Sequence, residues 1–84
     1  MKTSAGTYES SDCLITITKS IKTDIIIDSI VFDQFGEQIK EVITNTLENN
    51  KVENIKVECF DKGALDYTIK SRLETALKRG GYIE

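Results

Sequence analysis

The run Asp12-Cys13-Leu14-Ile15-Thr16-Ile17-Thr18 decides the reading of this chain. Cys13, Ile15 and Ile17 alternate with Leu14, Thr16 and Thr18, and most of these side chains are β-branched. A period of two with one fully apolar set predicts a strand whose isoleucine face points inward. Lys19-Ser20-Ile21-Lys22 is a short polar break. A second run follows over residues 23–29, in which Ile25 and Ile27 share one face and Asp24, Ile26 and Asp28 the other. A connection this short makes an antiparallel hairpin the cheapest pairing.

The period then changes. Phe32, Phe35, Ile39, Val42, Ile43, Thr46 and Leu47 fall at helical spacing, with Glu37, Lys40, Glu41, Asn45 and Glu48 opposite them. Ser29 and Asp33 are both candidate caps for this helix, and Asn49-Asn50 suits its end. Gly36 inside it costs about 1 kcal/mol against alanine and suits either a close approach to the sheet or an exposed turn. Residues 54–60 return to alternation, Ile55, Val57 and Cys59 inward and Lys56 and Glu58 outward. Asp61-Lys62-Gly63 reads as a turn. Leu65, Ile69, Leu73, Ala76 and Leu77 then mark a second helix, with Asp66 in its first turn, Lys78 and Arg79 in its last, and Gly80-Gly81 as its stop.

The expected order is β-β-α-β-α. Two helices on one face of a three-stranded sheet bury every apolar stripe, which makes an α+β two-layer sandwich. The strand–helix–strand unit makes the third strand parallel to the second. The pattern leaves strand order open; the first strand is favoured for the centre. Residues 1–11 carry no apolar period and are expected to form a flexible N-terminal arm on a single domain, residues 12–84.

With 84 residues there is room for one small core. Apolar residues make up 39% and charged residues 30%, the balance of a soluble globular protein rather than a disordered one. A net charge of −3 argues against a general grip on nucleic acid, which needs a basic patch. The first residues have no apolar core of a secretory signal, and no apolar run is long enough to span a membrane, so the expected setting is cytoplasmic. With no histidine, a Ser-His nucleophile is excluded within the chain. Cys13 and Cys59 lack metal-ligand spacing and read as small buried hydrophobes.

Whatever the strand order, the start of the first strand and the end of the third share one end of the sheet. That brings Glu9-Ser10-Ser11-Asp12 near Asp61-Lys62-Gly63-Ala64. Lys62 and Gly63, beside the second helix's N-terminus, are expected to offer contacts to a phosphate there. The plainer alternative is a glycine turn with a solvated lysine.

The two stretches that meet are also the ones with a resemblance. Gly6-Thr7-Tyr8-Glu9-Ser10-Ser11-Asp12 resembles the Gly-Thr-Leu-Glu-Ser-(Gly/Ser)-Asp segment of the citrate lyase acyl carrier family. Gln34-Phe35-Gly36-Glu37-Gln38-Ile39 resembles the start of that family's first helix, and Asp61-Lys62-Gly63-Ala64-Leu65-Asp66 with Arg72-Leu73-Glu74 its second signature. The resemblance covers nearly the whole chain. Tyr8 departs from the family's leucine, and Ser11 stands where many relatives carry glycine.

The resemblance implies a carrier without catalytic residues. Ser10 would bear phosphoribosyl-dephospho-CoA, a CoA-derived prosthetic group, through a phosphodiester, with acetyl and citryl units held as thioesters on its thiol. The implied partners are the alpha (acyl transferase) and beta (citryl lyase) subunits of citrate lyase, a prosthetic-group transferase and an acetylating ligase. A polar arm suits a thiol that must visit several active sites. Two other functions compete: the acyl carrier of malonate decarboxylase, which uses a related serine motif, and a small α+β binding module in which Ser10 and Ser11 are only turn residues. Uptake of a CoA derivative separates the module from both carriers.

Overall fold

The computed structural model describes residues 2–84, in which four strands and two helices form two layers. The elements are β1 (Lys2–Gly6), β2 (Cys13–Lys19), β3 (Asp24–Ser29), α1 (Phe32–Asn49), β4 (Ile55–Asp61) and α2 (Asp66–Arg79). Cys13, Ile15 and Ile17 of β2 and Ile55, Val57 and Cys59 of β4 are all buried on one face, as their alternation requires. Ile39, Ile43 and Leu47 of α1 and Ile69, Leu73, Ala76 and Leu77 of α2 complete the same core. No helix among the described residues is long and apolar enough to cross a membrane.

Two expectations are corrected. The sheet has four strands, not three, because Lys2–Gly6, expected within a polar arm, pairs antiparallel with β2 from Lys2↔Thr18 to Gly6↔Leu14. This strand buries only Ala5. Its other ties run to α2: the Thr3 hydroxyl donates to the Ala76 carbonyl at 3.0 Å, and Arg79 donates to the Ser4 carbonyl at 2.8 Å. The second correction concerns order, which is β1-β2-β4-β3. β2 and β3 do not form a hairpin; β4 lies between them, antiparallel to β2 and, as expected, parallel to β3.

The reason is burial. Ile55, Val57 and Cys59 are 0–1% exposed, whereas Ile25 and Ile27 are only half-buried, so β4 takes the inner place and β3 the edge. Residues 20–23 suffice to step over one strand, since two inter-strand spacings span roughly 10 Å. The step is fastened to the start of β4: Ser20 N–H donates to the Asn54 carbonyl at 2.9 Å and Asn54 N–H to the Thr23 hydroxyl at 3.0 Å.

The helices end as their sequences suggest, Asn50 and Gly80 following the last helical residues. At the start of α1 neither proposed cap acts: Val31 precedes the helix without a side-chain cap bond, and the Ser29 hydroxyl accepts instead from Val31 N–H. Gly36 is buried, under the Phe32 ring of its own helix rather than against the sheet.

Candidate functional site

β1 and β2 are joined by residues 7–12, the polar stretch ahead of the first run. Gly6 turns the chain out of β1 with φ = 96°, where a Cβ would lie 1.9 Å from the Cys13 carbonyl oxygen, so only glycine fits. Thr7 N–H donates to that carbonyl at 3.1 Å, and Asp12 N–H to the Glu9 carbonyl at 3.1 Å. Ser10 and Ser11 are thus the central residues of a turn, with Ser11 at φ = 64°. Both serines are exposed, and no hydrogen bond among the described residues engages either hydroxyl.

The turn is fixed from outside. Ser11 N–H donates to the Lys62 carbonyl at 2.7 Å, and Lys62 N–H to the Asp12 carbonyl at 3.0 Å. These bonds extend the β2–β4 ladder past its last pair, Cys13↔Asp61, and bring the two resembling stretches together as the topology required. The Lys62 side chain lies with its Nζ 5.0 Å from the centre of the Tyr8 ring, which meets Phe60 edge-on at 6.3 Å. Gly63 stands beside open space, but its N–H donates to Asp61 Oδ2 at 3.1 Å and is not available to an anion.

Two residues matter more than the sequence suggested. Arg72 of α2 grips Asp12 with two parallel bonds, Nε to Oδ1 at 3.0 Å and Nη2 to Oδ2 at 2.9 Å. Thr7 adds a 2.6 Å bond to Asp12 Oδ2. The guanidinium first, and the Thr7 hydroxyl after it, hold the Asp12 carboxyl well below the usual carboxylate range. A depressed folded-state pKa stabilises the fold fully above the unfolded value near 4 and loses that contribution as pH falls below it. Arg72 is 40% exposed, which limits the pair to about 1 kcal/mol. Arg72→Ala is expected to lower urea-unfolding stability by that amount at pH 7, and the gap between variant and wild type should close progressively below about pH 4. A gap that persists unchanged at pH 2 would mean that packing, not the ion pair, holds the loop.

Asp61, read as a turn residue, is fully buried. Its Oδ2 accepts from the Ser29 hydroxyl at 2.7 Å and from Gly63 N–H, and its Oδ1 from Ala64 N–H at 2.9 Å. One carboxylate therefore ties together the end of β3, the end of β4 and the approach to α2. The signal was present: position 61 is in phase with Ile55, Val57 and Cys59.

The left-handed backbone at Ser11 costs a non-glycine residue about 1 kcal/mol. Ser11→Gly is expected to be neutral or stabilising by roughly 0.5 kcal/mol, the relief exceeding the added unfolded-state entropy. Thermal melting checks this, and a clear loss of stability would show that the Ser11 hydroxyl matters to the turn.

Comparison with known proteins finds relatives over most of the chain. The family model described as Malonate decarboxylase delta subunit (MdcD), short name ACP, matches residues 1–80. A relative from Treponema denticola, named citrate lyase acyl carrier protein, is 47% identical, covering 88% of this chain and 85% of its own. Relatives of the same name from Halothermothrix orenii and Oenococcus oeni are 49% and 50% identical, over 90% and 89% of this chain and 82% and 78% of theirs.

Proposed function

This chain belongs to the acyl carrier family of that model, and we propose that, as the acyl carrier subunit of citrate lyase, it bears its prosthetic group on Ser10. The family model carries the malonate decarboxylase name and the relatives the citrate lyase name. Identities of 47–50% over about nine-tenths of the chain favour citrate.

One observation carries the assignment to Ser10. It is an exposed hydroxyl, free of hydrogen bonds within the described residues, on a loop held by bonds to Cys13, Lys62 and Arg72. Another enzyme can reach it, and the loop does not have to be ordered at the moment of attack. Ser11 is equally exposed, but its place follows from backbone geometry: a left-handed position is where glycine serves as well, and glycine has no oxygen to modify.

We take the group to be phosphoribosyl-dephospho-CoA joined by a phosphodiester; when attached, it supplies a thiol that holds an acyl unit as an exchangeable thioester. The chain's own part is to fix the root of the arm and present it. Lys62, whose backbone pairs with Ser11 and Asp12 and whose ammonium lies 5.0 Å from the centre of the Tyr8 ring, would hold a phosphate of the group. This chain provides no catalytic acid or base in this reading. The transferase (alpha) and lyase (beta) subunits act on what it carries, in the cytoplasm, after a dedicated transferase and an acetylating ligase have prepared it.

The test is intact mass after incubation with the prosthetic-group precursor and a transferase shown to be active on a known carrier. One added group, located by fragmentation to Ser10, is expected. An unchanged mass would refute the attachment.

A further inference from the structure

Charged side chains make up 30% of the chain, yet among the described residues a single ion pair forms, Arg72 with Asp12. It braces the exposed loop of residues 7–12. The hairpin does not need it to close, because β1 is already paired with β2 along its whole length, from Lys2↔Thr18 to Gly6↔Leu14. Asp12 is the hub of the loop. Its Oδ1 accepts from Cys13 N–H at 2.7 Å and from Arg72 Nε, and its Oδ2 from the Thr7 hydroxyl and Arg72 Nη2. Thr7 and Asp12 are the two ends of the loop, so one carboxylate clasps both, and the planar fork of Arg72 fixes how that carboxylate is turned. The Arg72 stem lies against Gly6, where a Cβ would come within 3.1 Å of its Cδ.

Arg72 carries the position of a packed helix out to this loop. Ile69, Leu73 and Ala76, its neighbours on α2, are fully buried, so the guanidinium is anchored through the core. The other outside ties, Ser11 N–H to the Lys62 carbonyl and Lys62 N–H to the Asp12 carbonyl, lie past the last strand pair, Cys13↔Asp61, where a ladder opens most easily. Ser11 also holds a left-handed φ of 64°, a strained value for a residue with a side chain. Strain and a two-pronged ion pair thus meet around two exposed serines whose hydroxyls make no hydrogen bond among the described residues.

We propose that Arg72 is a positioning residue for attachment at Ser10: acting through Asp12, it keeps the serine loop in the arrangement that the attaching enzyme binds. The inference rests on Ser10 being the attachment point. Arg72 makes no hydrogen bond to either serine, so it works by population rather than by chemistry. A carrier whose loop is held only part of the time binds as if diluted by that fraction, while the step on the bound carrier is unchanged.

The experiment follows the loading rate with the full-length apo chain as the varied substrate, for wild type, Arg72→Met, Arg72→Lys and Arg79→Met, each shown by melting to be folded at the assay temperature. Arg79→Met is the control. Arg79 also ties α2 to the β1–β2 hairpin, through the Ser4 carbonyl at 2.8 Å, but it makes no hydrogen bond to the loop. Arg72→Met keeps an apolar stem and loses the fork. It is expected to raise KM roughly threefold or more and to leave kcat within about twofold. Arg72→Lys restores the charge without the two-pronged geometry and should recover part of the loss. Arg79→Met should keep the wild-type KM. Hydrogen exchange at the Ser11 amide should quicken in Arg72→Met by at least the factor seen in KM. Equal KM values for wild type and Arg72→Met, or an equal rise in Arg79→Met, would overturn the proposal. A raised KM with unchanged Ser11 exchange would overturn it too, since the enzyme would then be touching Arg72 itself. Intact mass of wild type, taken first, keeps the two readings apart. An unloaded wild type counts against Ser10; a loaded wild type with no effect at Arg72 counts against Arg72 alone.

Discussion

Ser10→Ala is expected to take up no prosthetic group, and a citrate lyase complex assembled with it to cleave citrate no faster than one lacking a loaded carrier. The effect is all-or-none, because the lost oxygen would be the bridging atom of the linkage and no neighbouring group replaces it. The fold should not register the change. The Ser10 hydroxyl makes no hydrogen bond in the described structure, and exposed substitutions of this kind shift stability by less than about 0.5 kcal/mol. Unchanged melting together with zero uptake is therefore the signature of a lost attachment atom. Ser11→Gly is the matched control and should load as wild type does. Loading of Ser10→Ala with loss of loading in Ser11→Gly would move the linkage to Ser11.

Asp61→Ala should be among the more damaging polar substitutions, lowering stability by about 2–4 kcal/mol in urea unfolding. The side chain is fully buried and satisfies three donors from two segments, the end of β3 and the approach to α2. Removing it takes the partner from the half-buried Ser29 hydroxyl and Ala64 amide, each at a cost of about 1–2 kcal/mol, while the exposed Gly63 amide turns to water. A domain of this size has roughly 5–15 kcal/mol in all. Asp61→Asn keeps one acceptor oxygen and should lose markedly less. A loss under about 1 kcal/mol for Asp61→Ala would show that water replaces the carboxylate at no great cost.

Much of this fold is legible in the chain because it rests on local periods. The alternations of β2 and β4 and the helical spacing of α1 and α2 depend on which face of each segment is buried, and each segment reports that itself. From them follows the meeting of residues 10–12 with 61–66, since a parallel β3–β4 pair places it there. What is not legible depends on partners. β1 has one buried side chain, and its pairing with β2 and ties to α2 are written in Ala76 and Arg79, more than 70 positions away. The exchange of a hairpin for an inserted strand is invisible because residues 20–23 are long enough for either. Phe32 and Phe35 share the spacing of the α1 stripe yet are 52% and 45% exposed, since the first turn of α1 lies outside the core, and burial begins with Gly36 and Ile39. Of the candidate site, the meeting of the serine loop with Lys62, through Ser11 and Asp12, could be read. Arg72 appeared only as part of a signature, and Asp61 was hidden by an Asp-Lys-Gly tripeptide that looks like a turn.

The loop bearing Ser10 sits near the start of the chain, but the bonds that hold it come from Lys62 and Arg72. During synthesis the serine leaves the ribosome long before those residues exist. Until β4 slides in beside β2, a closure across more than 35 residues, the loop has only its own turn and the β1–β2 pairing to hold it. If the proposed transferase recognises the held loop, it would pass over nascent, truncated or misfolded chains, and the group proposed for Ser10 would go only to molecules that have finished folding.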